Sequence, residues 1–431
     1  MQNKVTGAAS TPAGSALQID PAEGRFRVAR SAYVDPALHA AEMEAIFSRC
    51  WLFAGHDSEI PGANDFVTRT VAGRSVLLLR DRDGEVRCFL NVCPHRGAQV
   101  VRQKRGSARA FNCIYHGWGF ENTGRNAHIA ERETYAAGFD RPGANDLAAV
   151  PRLEQYRGLW FLNFDRDAPS LESYLGAARE YIDVIFDQAE QGMRVVGEPQ
   201  EYSARANWKL LSENSTDILH VTTLHPTYLD LIRTNSAGTM ERRARQIGAS
   251  ADLGNGHAVV EREASYGRPI ARWIPIWGEE ARVEIEGIRK RLDGKYGVER
   301  ANRMANFARN LLIFPNLVIN DIMSVTLRTF QPTAVDYMEI SVWAIAPAEE
   351  RNTPAMARRL TNFLEFLGPA GFATPDDIEA FESCQRAYGA WREAPWNDFS
   401  KGLGSPPDVT DELPQRVFWL EWQRRMLGSV A

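Results

Sequence analysis

The chain has 431 residues, 44% hydrophobic and 24% charged, with a formal net charge of −5, which suits a soluble globular protein of two or three domains and excludes disordered and fibrous classes. No Lys/Arg cluster interleaves with aromatic residues, so no nucleic-acid partner is expected. No apolar run reaches the roughly eighteen residues a membrane-spanning helix requires, so no membrane role is expected either.

Residues 1–24 are small and polar and lack the continuous apolar centre of a secretory signal. They read as a loose start to a cytoplasmic protein, and residues 1–45 as a segment that packs with the larger domain. From about residue 66 to 92 the chain reads as strands, "DFVTRT", "RSVLLLR" and "EVRCFLNV", with Asp83-Gly84 as a hairpin signal. A further turn at "ENTGR" and a closing strand in "YRGLWFLNF" complete a small all-β module over residues 46–165.

Residues 166–431 have a different character. Helical spacing over 171–191 and 206–225 gives way to strand alternation over 311–346. Helices follow at about 354–367 and 375–392, and the tail "RVFWLEWQRRML" reads as amphipathic. The fold class is therefore α+β, a small all-β domain beside a larger one with an antiparallel sheet and helices. The stretch "LGNGHAVV" at 253–260 has two glycines of a nucleotide-binding pattern but no third, and follows no convincing strand, so reducing equivalents must come from another protein.

Five cysteines is an odd number, and two of them have histidine neighbours. Metal ligation in a reducing compartment fits better than a disulfide framework, and Cys50, Cys88 and Cys384 read as buried small hydrophobes. The pattern is Cys93-x-His95, seventeen residues, then Cys113-x-x-His116. Two thiolates and two imidazoles suit tetrahedral zinc or a two-iron cluster bridged by sulfide. Gly97 and Gly117 allow tight loops whose amides turn toward sulfur, and "IYHGWGF" does not suit the helix on which a zinc finger carries its histidines, so the cluster is favoured.

A second candidate centre lies in "NWKLLSENSTDILHVTTLH". Two histidines and a carboxylate on one side of an iron leave positions open for oxygen. His220 and His225 are about 140° apart on an ideal helix, so the helix must loosen for both to reach one ion, and Pro226 disfavours helical geometry at His225. Asp217, one turn before His220, is placed to hold that imidazole in one tautomer. In "GPAGFATPDDIEAF", Thr374 reads as a helix N-cap with Asp377 in a capping-box position.

"CPHRG" and "CIYHGW" resemble the Rieske motifs of the ring-hydroxylating oxygenases, and Asn207, Trp208, Lys209, Glu213, Asn214, Asp217, His220 and His225 resemble the catalytic signature of the same family. The resemblance runs from about residue 30 to the C-terminal helix. It implies a Rieske domain followed by a catalytic domain of helix-grip, START-like fold, with one [2Fe-2S] cluster and one mononuclear Fe(II) per chain. It implies Asp377, rather than Asp376, as third iron ligand and Asp217 as the bridge that carries electrons between centres of neighbouring subunits. Length and pattern resemble the large α subunits that form trimers with a small β subunit (α3β3) and draw electrons through a ferredoxin, a reductase or both. The implied reaction is cis-dihydroxylation of an aromatic ring with O2. A Rieske monooxygenase such as a salicylate hydroxylase or a demethylase, a Rieske electron carrier, and a zinc-stabilised binding module are the rivals. The tail resembles members acting on aromatic carboxylates, for which Arg205, Arg233 and Arg328 are candidate partners, each with an equally simple reading as a surface or structural charge.

Overall fold

The computed structural model describes residues 16–235, 247–264 and 266–428, and the chain divides into two compact units. One unit comprises Ser48–Tyr174 and Met193–Val195. Its main sheet orders the strands Val86–Leu90, Arg74–Arg80, Asp65–Val71 and Arg105–Ser107. Two three-stranded sheets accompany it, built from Asn126–His128, Gly119–Glu121 and Ala110–Asn112, and from Arg152–Tyr156, Leu159–Asn163 and Leu52–His56. The turn after Arg80 closes on Asp81, whose Oδ1 accepts the amides of Asp83 at 2.8 Å and Glu85 at 3.0 Å, with Gly84 at φ 90°. Phe66, Leu77, Leu79, Phe89, Phe111, Trp118 and Phe120 form a core that also encloses Cys93 and Cys113.

The other unit comprises Met1–Phe47, Leu175–Gly192 and Val196–Ala431. Seven strands form its sheet, in the order Met193–Ala204, Tyr337–Pro347, Val325–Ala334, Leu317–Asp321, Phe307–Ile313, His257–Glu263 and Gly248–Gly254. The last six pair antiparallel in sequence. The fold class is α+β, as the sequence implies. No helix among the described residues is long and apolar enough to cross a membrane.

Several elements depart from the expectations. The N-terminal segment, outside the described residues up to 15, forms a hairpin of Leu17–Asp20 and Arg25–Ala29 that pairs with Trp396–Asp398. "LGNGHAVV" does follow a strand: Gly254, Asn255 and Gly256, all at positive φ, make the reversal between Gly248–Gly254 and His257–Glu263, so its glycines serve a hairpin. The helices Gly278–Tyr296 and Val298–Asn306 were not anticipated, because the longer one buries only the thin stripe Ala281, Ile285, Ile288 and Leu292 in a charged sequence. The tail helix Leu413–Met426 is not amphipathic. Gln415, Arg416 and Glu421 are buried along with Phe418, Trp419 and Trp422. Cys50 and Cys88 are buried as expected, whereas Cys384 is exposed on the helix Thr374–Ala387.

A buried polar seam fixes the helix Trp208–Ser215, which begins the catalytic signature. Asn207 caps it, accepting the Lys209 amide at 3.1 Å, and its Nδ2 donates to the carbonyl of Val335 at 2.6 Å. Glu42, on the helix Pro36–Ala45, accepts from Lys209 Nζ at 2.6 Å, Trp422 Nε1 at 2.7 Å and Trp208 Nε1 at 2.8 Å. Both members of the Glu42–Lys209 pair are inaccessible to solvent. Glu213 accepts from Tyr33 Oη at 2.5 Å and Trp419 Nε1 at 2.8 Å. Three distant stretches of chain are thereby hydrogen-bonded to one short helix.

Two stability predictions follow from the seam. Replacing Glu42 by Ala strands the Lys209 ammonium in the interior and should cost about 3–5 kcal/mol, while Glu42→Leu with Lys209→Met should cost much less; denaturant titration of both variants makes the comparison, and equal losses would contradict a buried-charge origin. Burial, outweighing the hydrogen bonds from Tyr33 and Trp419, pushes Glu213 from 4.5 up to about 7. Its folded value lies above its unfolded one, so its contribution is fully present below about pH 4.5 and is lost as the pH rises to about 7, a fall of roughly 3 kcal/mol. Glu213→Gln should flatten the stability profile in that window, and an unchanged slope would contradict the assignment.

Candidate metal centres

The first candidate centre is built by two loops with the same backbone plan. In one, Cys93 N donates to Ala98 O at 2.8 Å and Gly97 N to Cys93 O at 2.9 Å; in the other, Cys113 N donates to Trp118 O at 2.8 Å and Gly117 N to Cys113 O at 3.0 Å. Both glycines sit at positive φ, 76° and 71°, where a side chain would strain the loop. The result is a matched pair of platforms with buried thiols. Burial pushes the Cys93 thiol up, as does its neighbour Cys113, while the amides of His95 and Arg96 pull the other way.

The imidazoles form a pair of their own, ring centroids 4.5 Å apart, with His95 stacked at 4.9 Å on Trp118. His95 Nδ1 is buried without a hydrogen-bond partner, and the Arg96 guanidinium lies against Nε2 of His116. An enclosed nitrogen with no partner is what a missing ligand bond leaves behind. Among the described residues these four side chains do not gather their donor atoms around one point. Sulfur paired with sulfur and nitrogen with nitrogen fit a two-iron cluster with one iron on each side, and fit a single tetrahedral zinc poorly.

At the second centre the helix Trp208–Ser215 stops where the ligand geometry requires it. Thr216 leaves helical geometry, His220 precedes the single turn Val221–Leu224, and His225 follows it at φ −113°, ψ 47° before Pro226 begins the next helix. Asn310, on the sheet, donates to the Ser215 carbonyl at 2.9 Å and anchors the break. The loosening expected between the histidines is thus present at His225, and a second break precedes His220.

His220, His225 and Asp377 place one donor atom each within 4.8 Å of one another. Asp377 Oδ1 lies 3.2 Å from His225 Nε2 and 3.6 Å from His220 Nε2. Asn214 Nδ2 donates to the same oxygen at 3.1 Å and lies 3.3 Å from His220 Nε2. Asp376 takes the opposite nitrogen, its Oδ2 3.2 Å from His225 Nδ1, and its side chain is 40% exposed against 7% for Asp377. The two aspartates therefore differ in placement: Asp377 faces the point where the three donors meet, and Asp376 lies against the outer nitrogen of His225. Burial lowers the His225 pKa, but the two carboxylates outweigh it and leave it raised. Two imidazole nitrogens and one carboxylate are the donor set of a non-haem Fe(II) facial triad.

The capping role expected for Thr374 fails. The helix begins at Thr374 itself, with no side-chain cap at Ala373, which leaves the Asp377 carboxylate free for the histidines. Asp217 Oδ2 lies 3.4 Å from His220 Nδ1, its other oxygen accepts the Leu219 amide at 2.6 Å, and its side chain is 37% exposed. A cavity of about 790 Å³ opens beside the triad, lined by Arg328 and Arg233, two of the three arginines that the sequence offers as carboxylate partners, and by Arg262, for which the sequence carries no signal. Arg205 is not part of its lining. Arg233 is paired with Asp230 at 2.6 Å.

Comparison with known proteins finds a family for each part of the chain. Residues 50–149 match the Rieske [2Fe-2S] domain, and residues 178–428 match the ring-hydroxylating alpha subunit catalytic domain. The α subunit of toluate 1,2-dioxygenase from Pseudomonas putida is 34% identical over 94% of this chain and 87% of its own length, and the large subunit of 2-halobenzoate 1,2-dioxygenase from Burkholderia cepacia is 32% identical over 93% and 86%. The crystal structure of naphthalene 1,2-dioxygenase from Rhodococcus sp. bound to indole superposes with a TM-score of 0.81 at 28% identity, covering 94% of this chain and 95% of that one. This protein belongs to the Rieske non-haem iron ring-hydroxylating oxygenases, in which it is an α, or large catalytic, subunit with one [2Fe-2S] cluster and one mononuclear iron.

Proposed function

We propose that His220, His225 and Asp377 hold the mononuclear Fe(II), that Cys93, His95, Cys113 and His116 hold the cluster, and that the chain is the terminal component of a dioxygenase acting on an aromatic carboxylate. The observation that carries the reading is the convergence of the three donor atoms within 4.8 Å at the edge of a cavity of about 790 Å³. An iron held by three protein ligands keeps positions open for oxygen, and a two-iron cluster supplies electrons one at a time.

This chain's residues set the surroundings for that chemistry. Asp376 and Asn214 orient His225, His220 and Asp377. Ile218, Tyr228, Ile322 and Phe366 give the cavity the apolar wall an aromatic ring needs. Asp217 touches His220 and is partly exposed, which supports a role as the bridge accepting electrons from a neighbouring subunit. The balanced reaction takes one arene, one O2, two electrons and two protons to a cis-dihydrodiol. The electrons come from NAD(P)H through separate carriers.

The named relatives, which include the anthranilate 1,2-dioxygenase large subunit of Acinetobacter baylyi at 31% identity, support an aromatic acid as substrate. The relatives' names as α or large subunits support a smaller partner subunit; a homotrimer with that β subunit, a cytoplasmic location, and a division into residues 46–165 for the cluster and 166–431 for catalysis, with residues 1–45 belonging to the latter, complete the proposal. A protein that only carries electrons would have no use for the triad or its cavity.

Protein isolated without air should contain about three iron and two sulfide per chain. His225→Ala and Asp377→Asn should lose about one iron while keeping the sulfide and the visible spectrum of the cluster, and Asp217→Asn should keep all the metal but slow reoxidation of the reduced cluster by about 10-fold or more. Retention of full iron by the His225 and Asp377 variants would overturn the ligand assignment, and unchanged reoxidation in the Asp217 variant would remove the bridge. With isotopically labelled O2 and an aromatic acid, the product should carry both labelled atoms; a single labelled atom would assign the chain to the monooxygenases.

A further inference from the structure

Among the arginines of the cavity, Arg328 differs in its surroundings. It lies in the middle of the strand Val325–Ala334, opposite Val318 on one side and Val342 on the other, and is 3% exposed. Asn310 is opposite Asn320, and Asn320 is opposite Thr326, two residues before Arg328. With the two-residue period of a strand, these polar side chains share one face of the sheet, and Asn310, Asn320 and Arg328 line the cavity beside the triad.

A guanidinium this deep in a protein is normally ion-paired. Arg328 has no carboxylate within ion-pair distance among the described residues. Its one hydrogen bond to a described residue within normal limits is Nη2 to Asn320 Oδ1 at 3.2 Å, and Nε is enclosed without an acceptor. Arg309 on this sheet and Arg268 outside it also have an enclosed Nε without a partner, but each is ion-paired with Asp321 at 2.8 Å, and it is this counter-charge that Arg328 lacks. Arg328 shares the cavity lining with the triad and lies beside the neutral hydroxyl of Tyr202, which supplies no counter-charge, and Asp377 is committed to the two histidines and Asn214. One carboxylate and two neutral imidazoles leave a divalent ion with net positive charge, so neither triad nor metal supplies the missing counter-charge.

We propose that the counter-ion of Arg328 is the substrate's own carboxylate, and that this residue anchors an aromatic acid in the cavity with its ring toward the triad. The inference rests on the oxygenase reading and deepens it by assigning the residue that selects the acid. A planar carboxylate matches the planar guanidinium fork, and the charge-assisted pair forms where water is scarce. Arg262 lines the same cavity with a less buried guanidinium against Tyr266, and Arg233 is taken up by Asp230. Neither Arg328 nor Arg262 has an ion pair among the described residues, and the deep burial of Arg328 assigns the anchor to it.

The test is anaerobic calorimetric binding of benzoate and of its neutral isostere benzamide to the metal-loaded wild-type, Arg328→Met and Arg328→Lys proteins, with thermal midpoints recorded without ligand. Wild-type protein should prefer benzoate. Arg328→Met should weaken benzoate about 10- to 100-fold and change benzamide less than about 3-fold, with Arg328→Lys between the two. Its midpoint without ligand should not fall, because an apolar chain replaces an unpaired buried charge. An Arg328→Met protein that keeps the wild-type preference, or a wild-type protein with no preference, overturns the anchor. A lowered midpoint together with equal losses for both ligands overturns it in favour of a structural role. Failure of the oxygenase reading looks different: cluster and iron in place, and no aromatic compound oxidised with electrons supplied, whatever the binding results.

Discussion

The catalytic unit depends on a buried ion pair. Lys209 and Glu42 are both withdrawn from water, and their mutual attraction offsets the cost of desolvating two charges only because Trp208 and Trp422 also donate to Glu42. That constraint fixes the start of the helix Trp208–Ser215, and Glu213 fixes its far end through Tyr33 and Trp419. Asn214, the next residue, reaches both Asp377 and His220. Within one short helix the chain passes from a structural salt bridge to the edge of the metal centre, and the rigidity of the first sets the precision of the second.

Both centres place their proposed ligands where regular structure changes direction. Cys93 and Cys113 begin two loops of the same plan, each closed by a glycine in the left-handed region. His220 and His225 flank a single helical turn, and Asp377 stands in the first turn of a helix. Side chains on an unbroken helix or strand point along fixed directions, so convergence on one ion calls for a change of backbone direction. The surrounding packing holds that irregular backbone still: the thiols belong to the core of their unit, and the break after Ser215 is tied to the sheet by Asn310.

Much of this was legible in the sequence, and the divisions have physical reasons. The Cys/His loops are local, so spacing and glycine placement carry their signal. The strands from Phe307 to Pro347 are rich in apolar and β-branched residues, whereas Met193–Ala204 contains Gly197 and Pro199, and Gly248–Gly254 is built from small residues, which hides the strand signal. The role of Asp377 was not derivable from its neighbours. Its local sequence suits a cap, and Asn214, which binds it, lies 163 residues away; only likeness to a family pointed there. Glu42 went unmarked because a buried carboxylate looks like any helix-surface acid until its partner, 167 residues on, is known. Arg328 was one of three arginines, and the register of the sheet separates it from the others.

Mössbauer spectroscopy of reduced protein loaded with isotopically enriched iron distinguishes a chain that holds both a two-iron cluster and a separate iron on two histidines and an aspartate from one that holds the cluster alone. About one third of the absorption should come from high-spin Fe(II) with nitrogen and oxygen ligands, and the rest from two inequivalent cluster irons, one with sulfur ligands and one with nitrogen as well. A spectrum composed of cluster iron alone, in protein exposed to excess Fe(II), would mean that His220, His225 and Asp377 hold no iron.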